Sequence, residues 1–352
     1  MTHLHTNQID QIEVSGSHFE VGLAIGARFA EQIHQLLDHY DFFQQEMLPY
    51  HRTPEGQRTY QALLDLHRAC YPDYIVELEG IAEGAGRPFE ELFLVNVRGE
   101  YAGYIHDSRL RGCFDLVAVT EDVALVGHNE DGTPAALNNM YVVHAQIEGM
   151  PAFTALSYPG FLCGNAFGFN SEGILFSIDN VRPRNVHVGV GRHFMARSLF
   201  ETHSLEDAIA QVTVPGRAAG FSYTIGSLSE RRVVNVEVAP DKHHVREIRG
   251  YYAHTNHYLN LTDVEQVIGA SSRARLERAN ELLRAGWRPS QRAVLAILGD
   301  QADEQYPIYR TATPPDKGMT LCTALFDLDR RSLRIYTGHP VLAAEQFLEF
   351  AL

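Results

Sequence analysis

The stretch "LRGCFDLVAV", residues 110–119, sets a glycine and a cysteine at the mouth of an alternating apolar run. Such alternation marks a strand with one buried face. Gly112 and Cys113 stand almost a third of the way along a chain that has four cysteines. A cysteine there can attack the carbonyl carbon just before it, through a five-membered ring, and leave a thioester that water hydrolyses. A preceding glycine has no Cβ and lets the nucleophile approach. The Gly112–Cys113 bond therefore reads as one that cleaves itself. Cleavage frees an α-amine with a reference pKa of about 7.7–8.0, a base for the thiol on the same residue. Taken alone, the dipeptide also suits a small buried cysteine.

Outward from this junction the texture of the sequence changes. Upstream it is helical. Residues 17–37 carry a capping box at Ser17 and Glu20 and place Ile25, Phe29, Ile33 and Leu36 on one stripe. Gly22 and Gly26 on that helix imply another element in close approach. Further helices are expected over "PDYIVELEGIAEGAG" (72–86) and "PFEELFLVN" (88–96). Downstream, alternating runs joined by polar turns predict hairpins, pairing 114–119 with 124–129, 141–147 with 152–158, 221–227 with 232–238, and 321–328 with 333–338. Helices return at 192–212, where Ser204 and Asp207 resemble a cap, at 272–285, at 290–299 and at the C-terminus. No linker or repeat divides the chain, so the expectation is a layered α/β sandwich in one globular unit, helix-rich over 1–112 and strand-rich over 113–352.

The chain has 352 residues, 45% hydrophobic and 21% charged, enough apolar surface for a large core. A formal net charge of −15 disfavours nucleic acid as a partner. The arginine-rich "SSRARLERANELLR" (271–284) reads as the solvated face of a helix, alternating with Leu276, Ala279 and Leu282. The N-terminus "MTHLHTNQID" is polar and no run of 18 apolar residues occurs, so no membrane span is expected and the protein is placed in the cytoplasm. Cys70, Cys163 and Cys322 read as reduced, small hydrophobes. His254 and His257 lie three apart, but no HExxH pattern accompanies them and the chain has 18 histidines, so no metal is assigned.

Several separated segments, in order, resemble one family: "GSHFEVGLAIG" (16–26), "ELEGIAEGAGRPFEELFLVNVRGE" (77–100), "RGC" (111–113), "GHNED" (127–131), "PGFLCGNAFGFNSEGI" (159–174) and "HTNH" (254–257). The sequence resembles the acyl-coenzyme A:6-aminopenicillanic acid acyltransferase family of N-terminal-nucleophile hydrolases, also known as isopenicillin N acyltransferase-like or peptidase family C45. Over "GHNEDGTPAALNNMYVV" and "YPGFLCGNAFGFNSEGILFSIDN" it is most similar to the branch of β-alanyl-dopamine and carcinine hydrolase-like enzymes.

The resemblance implies a four-layer αββα sandwich, made as an inactive precursor that cleaves itself into Met1–Gly112 and Cys113–Leu352. The two pieces then stay together as a heterodimer, with further oligomerisation left open. It implies Cys113 as nucleophile and Asn256 as an oxyanion-hole donor. Asp131 matches the aspartate near the new N-terminus, where it holds the ammonium group or a substrate amine. Glu130 stands where the penicillin acyltransferases have an aromatic residue. Lys317 falls where they carry an arginine, and lysine lacks the bidentate fork. Phe161, Gly164, Asn165 and Phe167 line the implied substrate pocket. Phe114 and Asp115 replace the Thr or Ser usual after the nucleophile, so maturation is slow or relies on Asp115. No cofactor is implied, and acyl-CoA enters only as an alternative substrate. The resulting expectation is an amidohydrolase acting on N-acyl or aminoacyl amides, β-alanyl amides included. The alternatives are an acyl-CoA-dependent N-acyltransferase and an uncleaved, non-catalytic binding protein.

Overall fold

A computed structural model describes residues 8–101, 112–284 and 286–352. Leu110 and Arg111 of the opening motif, and the first residues of the polar N-terminus, lie outside the described residues. Before the junction come strand β1 (Asp10–Gly16) and helices α1 (His18–Arg28), α2 (Ala30–His39), α3 (Leu48–His51), α4 (Pro54–Cys70), α5 (Pro72–Ala85), α6 (Phe89–Asn96) and α7 (Arg98–Tyr101). After it come β2 (Phe114–Val119), β3 (Ala124–Gly132), β4 (Tyr141–Ile147), β5 (Phe153–Ser157), β6 (Phe167–Asn170) and β7 (Ile174–Asn180). Helices α8 (Arg192–Ser198) and α9 (Leu205–Val212) precede β8 (Phe221–Ser227), β9 (Arg232–Val238), β10 (His243–Glu247) and β11 (Gly250–His254). The chain ends with α10 (Ala270–Leu283), α11 (Gln291–Leu298), β12 (Met319–Asp327), β13 (Ser332–Tyr336) and β14 (Phe347–Ala351).

The strands form two sheets. One has eight strands in the order β1-β4-β5-β6-β7-β8-β9-β10, the other six in the order β11-β2-β3-β12-β13-β14. All neighbours are antiparallel except β1 and β4, which run parallel from Asp10 opposite Tyr141. Between the sheets, Val117, Val126, Ala324 and Phe326 meet Val142, Leu156, Phe167 and Leu175. Outside the first sheet, α1, α8 and α9 bury Val21, Ile25, Ala196 and Leu205 on its other face. Outside the second, α10 and α11 bury Ala279, Leu283, Val294 and Leu298 against Phe114, Leu116 and Leu325. Each sheet thus has two apolar faces, and the layers run helix, sheet, sheet, helix. No helix among the described residues is long and apolar enough to cross a membrane.

Four expectations are corrected. The helix predicted over 17–37 breaks at Phe29, the buried C-cap of α1. That over 192–212 is two helices, with a 3-10 turn at Leu199–Glu201 and a cap in which Ser204 Oγ accepts from the Asp207 amide. The C-terminal segment is a strand, because it pairs with the open edge of β13. The segment before the junction is not purely helical, since β1 is an integral edge strand of the larger sheet.

Candidate active site

Cys113 precedes β2 and lies opposite Glu130 on β3, one position beyond the Phe114–Asn129 pair. Side chains alternate along a strand, so neighbours in "GHNED" separate to opposite faces. His128 and Glu130 point between the sheets with the thiol. Asn129 and Asp131 point outward, Asn129 to the carbonyls of Leu298 and Ile308, and Asp131 to Thr320 and two arginines.

On the inner face a chain of polar groups reaches the Cys113 thiol. Cys113 Sγ lies 3.6 Å from Glu130 Oε1, which also accepts from Tyr158 Oη at 2.6 Å. Glu130 Oε2 is 3.1 Å from His128 Nε2, and His128 Nδ1 is 2.6 Å from Asp115 Oδ1. Ser177 Oγ donates to both oxygens of Asp115, at 2.9 and 3.0 Å. Burial works against charge on His128, but Asp115 and then Glu130 outweigh it and hold the imidazole protonated well above its ordinary range. Burial likewise opposes the charge on Asp115, and His128 keeps that carboxyl below its usual value. Burial, reinforced by Glu130, pushes the Cys113 thiol up, so in the intact chain the sulfur carries its proton.

On the other side, both carbonyls of the junction are held by cations. Arg310 Nη1 donates to Gly112 O at 3.0 Å, and Arg275 Nη1 donates to Cys113 O at 2.9 Å. Asp316 fixes Arg310 through two bonds, at 2.8 and 2.5 Å. Asp131 Oδ2 sits 3.4 Å from Arg310 and 3.6 Å from Arg275, while Thr320 Oγ1 donates to Oδ1 at 2.7 Å. Burial raises the Asp131 carboxyl in spite of these partners. The main-chain amide of Asp131 donates to Cys113 Sγ at 3.5 Å.

Asn256 follows β11 and is anchored by its main-chain N–H, which donates to Ser272 Oγ of α10 at 2.9 Å. Arg275 Nη2 donates to its Oδ1 at 2.5 Å, which turns Nδ2 toward the junction. Among the described residues that buried Nδ2 has no hydrogen-bond partner. A Cβ at position 112 would fall 1.9 Å from it, so any larger residue there displaces the Asn256 side chain. A cavity of about 550 Å³ opens on this side, walled by Gly112, Asn256, Arg275, Arg310, Lys317 and Asp41.

The structure therefore brings Gly112, Cys113, Glu130, Asp131 and Asn256 together, with Lys317 on the cavity wall. Phe161, Gly164 and Asn165 are not on that wall. Phe161 packs in the helical core under the Arg98 guanidinium, 4.2 Å from the ring centroid. Gly164, at φ 105°, backs onto the main chain of Ala196 and Arg197, and Asn165 Oδ1 accepts from Ser157 Oγ at 3.5 Å. Their loop reaches the site through Tyr158. Phe167 meets His128 edge-on between the sheets. Asp115 acts at one remove from the thiol, through His128.

Sequence reasoning missed His128, Tyr158, Arg310 and Arg275. Arg275 corrects the reading of these arginines as a solvated helix face, being 1% exposed. Its signal was phase: Arg275 lies four residues before Ala279 and eight before Leu283, on the buried stripe of α10.

A β-alanyl-dopamine/carcinine hydrolase of Drosophila melanogaster is 27% identical over 363 aligned residues, covering 92% of each chain. The 40 kDa form of acyl-coenzyme A:6-aminopenicillanic-acid-acyltransferase from Emericella nidulans is 25% identical, covering 84% of this chain and 83% of its own. Among solved structures, a Caenorhabditis elegans ortholog of N-acylethanolamine-hydrolyzing acid amidase aligns over 68% of this chain and all of its own, with TM-score 0.44 and 13% identity. Residues 119–341, more than half of the sequence, match the family model of acyl-coenzyme A:6-aminopenicillanic acid acyl-transferase, and the chain belongs to that family of enzymes acting on amide bonds.

Proposed function

We propose that the chain is a precursor that cuts its own Gly112–Cys113 bond and then hydrolyses small N-aminoacyl amides, of the β-alanyl kind, through a thioester on Cys113. The observation that carries this reading is the hold on the junction. Arg310 donates to the Gly112 carbonyl oxygen while the thiol of the next residue lies beside a carboxylate at 3.6 Å. In maturation, Glu130 takes the thiol proton and Sγ attacks the Gly112 carbonyl carbon. Arg310 stabilises the oxygen as it becomes negative. The C–N bond breaks, nitrogen takes up a proton as the new α-amine, and the thioester is hydrolysed to release the Gly112 carboxylate.

In turnover the α-amine accepts the thiol proton, and the substrate carbonyl is attacked in turn. The free Nδ2 of Asn256 is the donor for that second oxyanion. The amine product leaves, and water deacylates Cys113. Asp41, exposed on the cavity wall, offers a carboxylate to the ammonium end of an aminoacyl amide. Asp131 is already matched by two arginines, which favours a role in holding them over one in binding a substrate amine. Support for the substrate class comes from the Drosophila relative; the Emericella relative supports acyl transfer as the second reading.

Intact mass of purified protein tests the cleavage, and release of free amine from β-alanyl amides tests turnover. Wild-type chains are expected as two pieces meeting at 112 and 113, and Cys113→Ala is expected uncut and inactive. An uncut wild-type chain with no turnover points to the binding protein instead, and a rate raised by an acyl-thioester donor with amine acceptor points to the transferase. Turnover preserved in Cys113→Ala overturns the mechanism.

A further inference from the structure

We propose that Cys113, His128 and Glu130 form an inhibitory site for a thiophilic divalent cation of the Zn²⁺ class. One thiol sulfur, one imidazole nitrogen and one carboxylate oxygen lie within 4.8 Å of one another there. Tetrahedral donors at bond lengths of about 2.0–2.3 Å stand roughly 3.3–3.7 Å apart. The observed separations, 3.6 Å from Sγ to Glu130 Oε1 and 3.1 Å from Glu130 Oε2 to His128 Nε2, are close to such edges. Rotation of the carboxylate lets one Glu130 oxygen serve both edges, and the third edge, from Sγ to Nε2, lies within 4.8 Å.

The surrounding groups are those a zinc site uses. A ligating histidine commonly gives its other nitrogen to a carboxylate, and Asp115 occupies that place on His128 Nδ1. Tyr158 likewise bonds the Glu130 carboxylate. Soft sulfur with nitrogen and oxygen favours Zn²⁺, and Co²⁺ as its spectroscopic stand-in, over Mg²⁺ or Ca²⁺. On binding, the metal–sulfur bond replaces the S–H bond, and the thiol and imidazole protons leave to solvent. A fourth donor rests on the self-cleavage proposed above, because the freed α-amine of Cys113 closes a five-membered chelate ring with its own sulfur. The bound ion takes both the nucleophile and its base, so it blocks turnover until a chelator removes it.

Chelator-stripped wild-type protein, its cleavage state fixed by mass, is titrated with Co²⁺ and then Zn²⁺. A thiolate-to-cobalt absorption in the near ultraviolet is expected, bleached by Zn²⁺, absent from Cys113→Ala, and accompanied by loss of amide hydrolysis that chelator restores. Asp115→Asn is expected to keep the band and weaken the affinity roughly 10- to 100-fold. Absence of the band in folded wild-type protein overturns the site, whether or not the chain has cut itself. So does a band unchanged in Glu130→Gln and His128→Gln, with folding checked by circular dichroism. Inhibition without the band places the metal elsewhere and also overturns it.

Discussion

At the junction the side chain that matters most is one that is missing. A Cβ on residue 112 would collide with the Asn256 side-chain amide, so on the proposed mechanism the position that leaves on cleavage covers the donor needed afterwards. On the proposed mechanism two oxyanions form at this site in succession, with Arg310 bonded to the carbonyl of Gly112 and Asn256 Nδ2 unpaired for the next one. Asn256→Ala is therefore expected to mature and then turn over about 100-fold or more slowly, the usual loss for one oxyanion donor. Arg310→Met is expected to slow the appearance of the two fragments instead. Time courses of intact mass and of amine release separate the two effects, and equal slowing of both steps in Asn256→Ala contradicts the division. Of these residues, Gly112 and Cys113 were legible in the sequence as a local pair, and Asn256 only through the family resemblance. Arg310 and Arg275 were not, since an arginine declares its role only through partners far along the chain: Arg310 bonds Gly112 and Arg275 bonds Cys113.

Among the elements, α1 and α5 show how composition becomes distance. Their glycines interleave: a Cβ on Gly22 would fall 2.1 Å from Glu77 O, one on Gly26 2.2 Å from Ile81 O, and one on Gly80 2.3 Å from Phe19 O. The close approach expected from Gly22 and Gly26 is thus real, and α5 answers with its own glycines. It fixes α1 against the first sheet beneath Tyr141, which stacks on Phe29 at 3.7 Å. Gly26→Ala makes the test decisive because two effects oppose. Helix propensity alone favours Ala by about 0.8–1.0 kcal/mol. Overpacking against main chain costs about 1–3 kcal/mol. Net destabilisation in urea unfolding is expected, and a stabilised variant refutes the close contact. The C-terminal strand was missed for the converse reason. Its Ala, Glu, Gln and Leu favour a helix, yet Leu348, Phe350 and Leu352 alternate and pack, partly buried, against the core between the sheets. The edge of β13 decided between the two patterns, and no local property of the segment describes that edge.

Across the whole molecule, the segments on either side of the junction are bound together as one core. Parallel pairing joins β1 to β4, Arg197 donates to the buried Glu77 carboxylate at 2.9 Å, and Asn96 bonds Gly160 and Leu162. A cut at 112 therefore severs one bond and leaves these interactions standing, so the fragments are expected to copurify. One tie is sensitive to acid. His67 on α4 gives Nδ1–H to Leu63 O at 2.7 Å and accepts the Gly191 amide on Nε2 at 2.9 Å, an arrangement open only to the neutral ring. Burial against Phe93 and Phe194 lowers its pKa to about 4, with the Leu63 bond opposing. Because the folded value lies below the unfolded one, near 6.5, the unfolded state binds more protons between them. The stability tied to the neutral ring is complete above pH 6.5, falls as the pH drops, and is lost by about pH 4. At about 1.36 kcal/mol for each unit of difference, the loss is about 3 kcal/mol. Urea midpoints at pH 7.0 and 4.5 are expected to fall further for wild-type protein than for His67→Gln, which is weaker at neutral pH but lacks this proton. An equal fall in both proteins removes His67 as an acid-sensitive tie between the two segments.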